Sequence, residues 1–503
     1  MRNGRADVSH PLVTLRRDAP LQKQIVGELR ARILSGELPG GARLPSARLL
    51  ARELRVARIT VVTAYNALAD EGYVEIEARR APRVVAVPPE ARMNVEAHAP
   101  ARRVDREPPR ISTRARRLLH SGRGALLSYD GGPRPFRAGL PPLDLFPLED
   151  WARAVARAAR RATRRDLVYG EPQGTRGLRE AILEHVCAVR GVRAHVDQVF
   201  VTAGSQAGFD LCARVLIEPG ATAWVEDPGF PGIRGALLAN GGSAVPVPVD
   251  GDGLCVGIGR ARAPDAAVAF VSPSHQFPLG VRLSLSRRLE LLAWARERRR
   301  WIVEDDYESE YRFEGRPVAA LAALDASHRV LYVGTFSRVF LPGLRLGYVV
   351  VPEQLVDAFA AVRVLVDRHS PYLTQLAFAE FLESGQFARH LRRLRASTLE
   401  RRDHLLSAVG RLFGARLRVD VPDAGSHILG WLERGWDDRE VARAAARVDV
   451  DVFPLSRFTM RRRMPPALVL GYGAYPPSAV SEALERLSGQ VGLRVPGRVA
   501  RIL

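Results

Sequence analysis

The period of the apolar positions changes along the chain. From Pro20, Leu21, Ile25, Leu29 and Ile33 recur every four residues, the spacing that lines one face of a helix. "GELPGG" (Gly36 to Gly41) ends that run. Ser46 is a candidate N-cap for a second helix, "ARLLAREL". After the break "RVA", Ile59, Val62, Tyr65, Leu68 and Ala69 give the apolar stripe of a third helix, stopped at Gly72. "GYVEIEARRAPRVVAV" then supplies two short strands. Residues 88–131 are rich in Pro and Arg, poor in aromatics and without sustained periodicity, so they read as a linker. From about 132 to 495 the texture changes again. Short apolar runs such as "QVFVTAG", "AVAFVSP", "RWIVEDDY" and "RVLYVGTFS" alternate with longer amphipathic ones. That alternation predicts a mostly parallel α/β sheet. The expected organisation is a head over 12–87, a linker over 88–131 and a large domain over 132–495.

Composition narrows this only slightly. A chain of 503 residues, 47% hydrophobic, is long enough for two or three domains with a large core. It holds no apolar run of 18 residues, so no membrane span is expected. The first twenty residues lack the apolar core of a signal peptide. Cys187, Cys212 and Cys255 are far apart and show no disulfide or zinc spacing, which fits a reducing cytoplasm. The net charge of +20 suggests a polyanionic partner such as nucleic acid. However, Lys23 is the only lysine among 75 basic residues, so the excess of arginine equally fits codon bias. The motifs must decide.

In the head, a short helix, a tight turn and a helix opening with basic and hydroxyl residues make helix-turn-helix organisation. With "LPSARLLA" and "TVVTAYNAL", the stretch resembles the winged helix-turn-helix of the GntR superfamily. The resemblance implies double-stranded DNA as partner. It puts Arg48 and Arg52 on the second helix, and Arg58 and Thr60 at the start of the recognition helix. Arg58 is the candidate to reach a guanine edge. Arg43, Arg79, Arg80 and Arg83 become candidates for phosphate or minor-groove contacts. The alternative is that these are ordinary solvated arginines. Two positions depart from the pattern: Ala57 stands where the family usually has a capping Ser, and the wing tip reads "RRAPR" instead of Gly-x-Gly.

In the large domain several strand ends carry polar or aromatic groups. "LVYGEPQGTRG" sets an aromatic hydroxyl beside a Gly-rich turn, and "FVTAGSQAGFDL" runs a strand into a helix N-terminus, where free N–H groups suit a phosphate. "WVEDPGFPG", "VSPSHQFPLG", "VEDDYESEY" and "TFSRVFLPGLRLGY" follow. In this order they resemble the aminotransferase class I/II fold (fold type I), whose cofactor is pyridoxal 5′-phosphate (PLP). Joined to the GntR-like head, the whole chain resembles a MocR-type transcriptional regulator. The resemblance implies these roles: Asp305 for the pyridinium nitrogen, Tyr307 for the phenolic oxygen, and Phe230 for stacking on the ring. Gly204, Ser205, Gln206, Thr335 and Arg345 would hold the phosphate. Tyr169 would reach it from the partner subunit of a homodimer. His275 would lie near the phenolic side, or else be a packed histidine.

Arg338 stands where that family has its Schiff-base lysine. The chemistry needs an amine that can lose its proton and attack an aldehyde. A guanidinium stays charged and is a poor nucleophile. Lys23, the only lysine, belongs to the head. No catalytic residue is therefore expected, and PLP binds non-covalently at best; a different ligand, or none, remain alternatives. The strand "ALVLGYGAY" carries no arginine for a ligand carboxylate, and Gly232 stands where some relatives carry another. An amino-acid effector is not expected. The leading reading is a DNA-binding regulator with an effector-sensing, dimerising domain. The alternatives are a transaminase with an appended head, which Arg338 contradicts, and a domain that only dimerises.

Overall fold

In the head, α1 (Leu21–Leu34) buries Ile25, Val26, Leu29 and Ile33, three of the four positions its spacing predicts. Leu21, in the first turn, is exposed. In α2 (Ala47–Leu54) the Ser46 hydroxyl accepts a hydrogen bond from the Leu49 N–H at 3.2 Å, the expected N-cap. No side chain caps α3 (Arg58–Asp70), because Ala57 has no acceptor to offer. The buried face of α3 is Val61, Ala64, Tyr65 and Leu68, which corrects the stripe drawn through Ile59, Val62 and Ala69. Residues two apart on a helix point about 200° away from each other. Once Val61 faces the core, Ile59 must face out, and it is 68% exposed. Tyr65 donates to the Pro45 carbonyl at 2.8 Å and ties α3 to the loop before α2. Strands β1 (Val74–Glu75) and β2 (Arg83–Val84) pair antiparallel, with Val74 opposite Val84.

This computed structural model describes residues 13, 15, 20–77, 80–86, 110–125, 134–313 and 318–491. The chain forms two compact units that part between Arg110 and Ile111. Within the stretch read as a linker, Thr113–Ala125 is a helix, α4. It starts at Ser112, whose hydroxyl accepts from the Ala115 N–H at 3.1 Å. It packs against the helix Pro231–Ala239. That docking supplies what its own sequence lacks, since helices this short depend on tertiary packing.

The second unit is built on an eight-stranded sheet. Its strands are β3 (Val199–Thr202), β4 (Thr222–Asp227), β5 (Ser243–Asp250), β6 (Gly253–Leu254), β7 (Val268–Val271), β8 (Trp301–Asp306), β9 (Val330–Thr335) and β10 (Gly347–Val350), in the order β3-β10-β9-β8-β7-β4-β5-β6. The run from β5 through β4, β7 and β8 to β9 is parallel, as the alternation predicts. β10 is inserted antiparallel between β9 and β3. Helices cover both faces, so β3, β7, β9 and β10 are buried at every position and read as unbroken apolar runs. The parallel register sets Val271 beside Glu304, and Asp305 beside Val333. The carboxyl ends of β7, β8 and β9 thus open onto one edge, where such sheets bind ligands.

A smaller antiparallel sheet follows, β11 (Leu417–Val419), β12 (His427–Leu432), β13 (Phe453–Pro454) and β14 (Ala467–Gly471), in the order β11-β12-β14-β13. Asp227, at the end of β4, accepts from the backbone N–H groups of Met460, Arg461 and Arg462 at 2.7, 2.8 and 2.9 Å. One buried carboxylate thereby anchors the C-terminal loop to the main sheet.

Candidate cofactor pocket and nucleic-acid head

The edge at β8 and β9 gathers most of the residues singled out in the large domain. Asp305 is buried; its Oδ2 accepts from Ser272 Oγ at 3.5 Å, and its Oδ1 has no partner. Burial, with Asp306 and Glu226 nearby, pushes its carboxyl up to about 8, although Arg338 pulls the other way. Tyr307 is buried and its hydroxyl has no partner; burial raises this phenol well above its ordinary range. Buried polar atoms are nearly always paired, so two orphans side by side mark a place built for something else. Phe230 caps the helix Pro231–Ala239 and lies 6.2 Å, centroid to centroid, from Phe277.

The phosphate candidates meet at the head of β3. Gly204, at φ 86°, precedes the helix Ser205–Leu216. A Cβ on it would lie 3.1 Å from Arg345 Nη2, so the guanidinium rests on bare backbone. Arg345 Nη2 donates to the Ala203 carbonyl at 2.7 Å. Ser205 and Gln206 open the helix, and the Gln206 amide donates to the Gly232 carbonyl at 3.0 Å. A Cβ at Gly232 would sit 2.1 Å from Gln206 Oε1, so no larger residue fits there without moving that amide. Thr335 Oγ1 accepts from the Ser337 N–H at 3.2 Å. Ser337 Oγ is a third buried polar atom without a partner. The sequence reading passed over it, although it adjoins Arg338.

Arg338 crosses the front of this edge. Its guanidinium carbon is 5.7 Å from the Tyr307 ring centroid, and its backbone carbonyl accepts from Tyr311 Oη at 2.6 Å. A Cβ on Gly139 would lie only 1.5 Å from Arg338 Nη1. The guanidinium therefore occupies the space that Gly139 leaves. The cavity bounded by Ala138, Phe230, Phe277, Arg338 and Phe458 is only about 10 Å³. A ring enters only when Arg338 or an aromatic side chain swings aside.

Two candidates stand apart from this group. Tyr169 is 77% exposed and stacks under Arg368, whose guanidinium carbon is 4.4 Å from the ring centroid. His275 is buried with both ring nitrogens unpartnered. Its neighbours are Glu308 and His427 as well as Tyr307.

Residues 136–464 match the family described as Aminotransferase class I and II, and residues 21–84 match Bacterial regulatory proteins, gntR family. The chain is 37% identical over 470 residues to the probable rhizopine catabolism regulatory protein MocR of Rhizobium meliloti, covering 93% of each chain. It belongs to the MocR-type transcriptional regulators. The pyridoxine biosynthesis transcriptional regulator PdxR of Corynebacterium glutamicum is 30% identical over 93% of this chain and 96% of its own. Among solved structures, the α-aminoadipate aminotransferase LysN of Thermus thermophilus, complexed with N-(5′-phosphopyridoxyl)-L-leucine, superposes with a TM-score of 0.66 at 27% identity. It covers 76% of this chain and 95% of that one.

A MocR-type chain joins a DNA-binding head to a fold that typically binds PLP. The pocket residues fit the ring and phosphate of that group: the orphaned Asp305 Oδ1, Tyr307 Oη and Ser337 Oγ are unmet polar atoms at the carboxyl ends of β8 and β9. They offer no lysine amine for a covalent link, since the only lysine of the chain, Lys23, lies in the head. On the head, Arg43, Arg48, Arg52, Arg58 and Arg83 are exposed, and Thr60 is half-buried. Arg80 pairs with Glu77 at 2.6 Å. Arg79 lies outside the described residues. Ile59, beside Arg58 on the open face of α3, is a contact candidate that sequence reasoning missed. Among the described residues no helix is long and apolar enough to cross a membrane.

Proposed function

We propose that this regulator senses a small anionic ligand, PLP foremost, held without a covalent bond, and that it acts as a cytoplasmic homodimer on DNA without transaminase activity. The observation that carries the reading is Arg338 in front of the otherwise equipped pocket, in a chain whose only lysine is Lys23. When bound, PLP would bring an electron-poor ring and a phosphate. Asp305 would hold the ring nitrogen and Tyr307 the phenolic oxygen, and Phe230 would cover one face. The first turn of Ser205–Leu216, with Thr335, Ser337 and Arg345, would hold the phosphate. Arg338 must turn away from Gly139 to admit the ring. Its fixed charge can then pair with an anionic group of the ligand but cannot relay a proton. The filled space at Gly232 weighs against an amino-acid carboxylate as effector. The exposed run Leu167, Val168 and Tyr169 supports coverage of this segment by a partner subunit. A domain that only dimerises the heads is the reading a ligand-free result would favour.

The test is absorbance of the full-length protein titrated with PLP, before and after borohydride. Wild type should give a reversible, free-aldehyde-like spectrum and no mass adduct. R338K should give one borohydride-fixed cofactor per chain on the introduced lysine. An adduct on wild type would overturn the assignment of position 338. An R338K variant that takes up no more PLP than wild type would show that the pocket has lost its ligand. For the head, R58A should lower affinity for the protein's own upstream DNA by about 1–3 kcal/mol, read by fluorescence anisotropy, if Arg58 reads a base edge.

A further inference from the structure

Beside Tyr307, whose ring centroid is 6.1 Å from that of His275, three ligating side chains from three separate segments meet. His275 follows β7, Glu308 follows β8 and His427 opens β12. All three are buried, and their ligand atoms lie within 4.8 Å of one another. His427 Nδ1 is 3.6 Å from Glu308 Oε2, and His275 Nε2 is 4.0 Å from the same oxygen. Neither distance is a hydrogen bond.

The protons are placed elsewhere. His427 Nε2 lies 3.3 Å from the Pro278 carbonyl. A carbonyl only accepts, so Nε2 carries a hydrogen, and Nδ1 is the nitrogen that faces Glu308. Glu308 is fixed from behind: Oε1 accepts from Ser426 Oγ at 2.6 Å and Oε2 from the Ser426 N–H at 3.0 Å. His275 has no partner at either nitrogen. Two imidazoles and a carboxylate thus bring one ligand atom each to within 4.8 Å of one another. That is the donor set of a metal ion with open positions.

The surroundings match. An imidazole ligand usually donates its second N–H to a carbonyl or carboxylate, and a ligating carboxylate is itself hydrogen-bonded; His427 and Glu308 are held in this way. A Cβ at Gly425 would lie 2.3 Å from His275 Nε2, so glycine leaves that nitrogen open. A cavity of about 770 Å³ is lined by His275 and His427, and another of about 270 Å³ by His275 and Glu308, which gives an ion a way in. The charged groups facing the cluster are Glu308 and Asp423 against Arg282 and Arg338. Affinity therefore rests on the ligand atoms, not on the local field.

We propose that His275, Glu308 and His427 bind a divalent first-row transition-metal ion, zinc by ligand type, with an exchangeable position toward the larger cavity. Bonds of about 2.0–2.2 Å would draw the three ligands closer together. The test uses full-length protein stripped with chelator and titrated with Co(II), then with Zn(II) in competition. The expected result is one Co(II) per chain, with visible d–d absorption that zinc abolishes. H275Q and E308Q should each weaken Co(II) binding at least tenfold while circular dichroism is unchanged. Should either variant fail to fold, X-ray absorption of the wild-type zinc form decides, and it should show two imidazoles. No stoichiometric Co(II) on wild type, undiminished binding by both variants, or fewer than two imidazoles would each overturn the proposal. PLP plays no part in these readouts, so this site and the pocket reading fail separately.

Discussion

Two adjacent aspartates end β8 on opposite faces of the sheet, and they have opposite fates. Asp306 faces the helix Arg176–Arg190. Its Oδ2 accepts from Arg190 Nε at 2.6 Å and from Tyr332 Oη. Arg190 is in turn bonded to the Val318 carbonyl and to Ser274 Oγ. Asp305 faces the pocket with one oxygen unmet, beside the unmet hydroxyl of Tyr307. Both carboxylates are buried to the same degree, at 5% exposure. The chain completes one face with its own residues and leaves the other unfinished. Burial alone therefore does not mark a site; burial without a partner does, because an unsatisfied buried group costs about 1–3 kcal/mol.

This contrast can be broken from either side. The largest effect is expected from R190A, which strands Asp306 as an unpaired buried charge. The loss should be about 3–5 kcal/mol in urea unfolding. D305N should do the reverse. The Asp305 carboxyl sits at about 8 in the fold against an ordinary 3.8, so the native state holds its proton more tightly than the unfolded chain. That contribution to stability is full below about 3.8 and is lost as pH rises through about 8. Wild type should therefore lose Tm between pH 6 and pH 9 more steeply than D305N. At pH 9 the variant should be the more stable by about 1–3 kcal/mol without ligand, and it should bind PLP more weakly. A wild type and a D305N with parallel pH profiles would remove Asp305 from the pocket argument. The smallest effects come from the two tyrosines. Y332F deletes a hydroxyl that is used and should cost about 1 kcal/mol. Y307F deletes one that is not and should leave ligand-free stability unchanged or slightly higher. Equal losses would erase the distinction.

Much of this fold was legible because it is written locally. The unbroken apolar runs gave the buried strands, "VEDDY" gave a strand ending in carboxylates, and Ser46 gave a helix start. The partners were not legible. Period-2 geometry puts Asp305 and Asp306 on opposite faces, but it does not say which is paired, since Arg190 is 116 residues away. Separation along the chain also hid the meeting of His275, Glu308 and His427, and left His275 undecided. In α3 the stripe went wrong because Ile59 is apolar yet exposed, and hydrophobicity alone cannot separate a core residue from one kept for a surface contact. In α4 a segment with weak helix signals is held by its docking on Pro231–Ala239.

The close approach of Gly139 and Arg338 ties two distant codons together. Gly139 has a φ of 91°, and a side chain there would collide with the guanidinium. A larger residue at 139 must push the end of a flexible arginine aside and must also adopt a φ at which only glycine is unstrained. Shortening residue 338 relieves the collision but not the backbone turn. The two barriers differ in kind: the guanidinium can swing away, whereas the backbone conformation stays with residue 139 whatever stands at 338. A library that randomises both positions should therefore favour glycine at 139 whether or not Arg338 is kept.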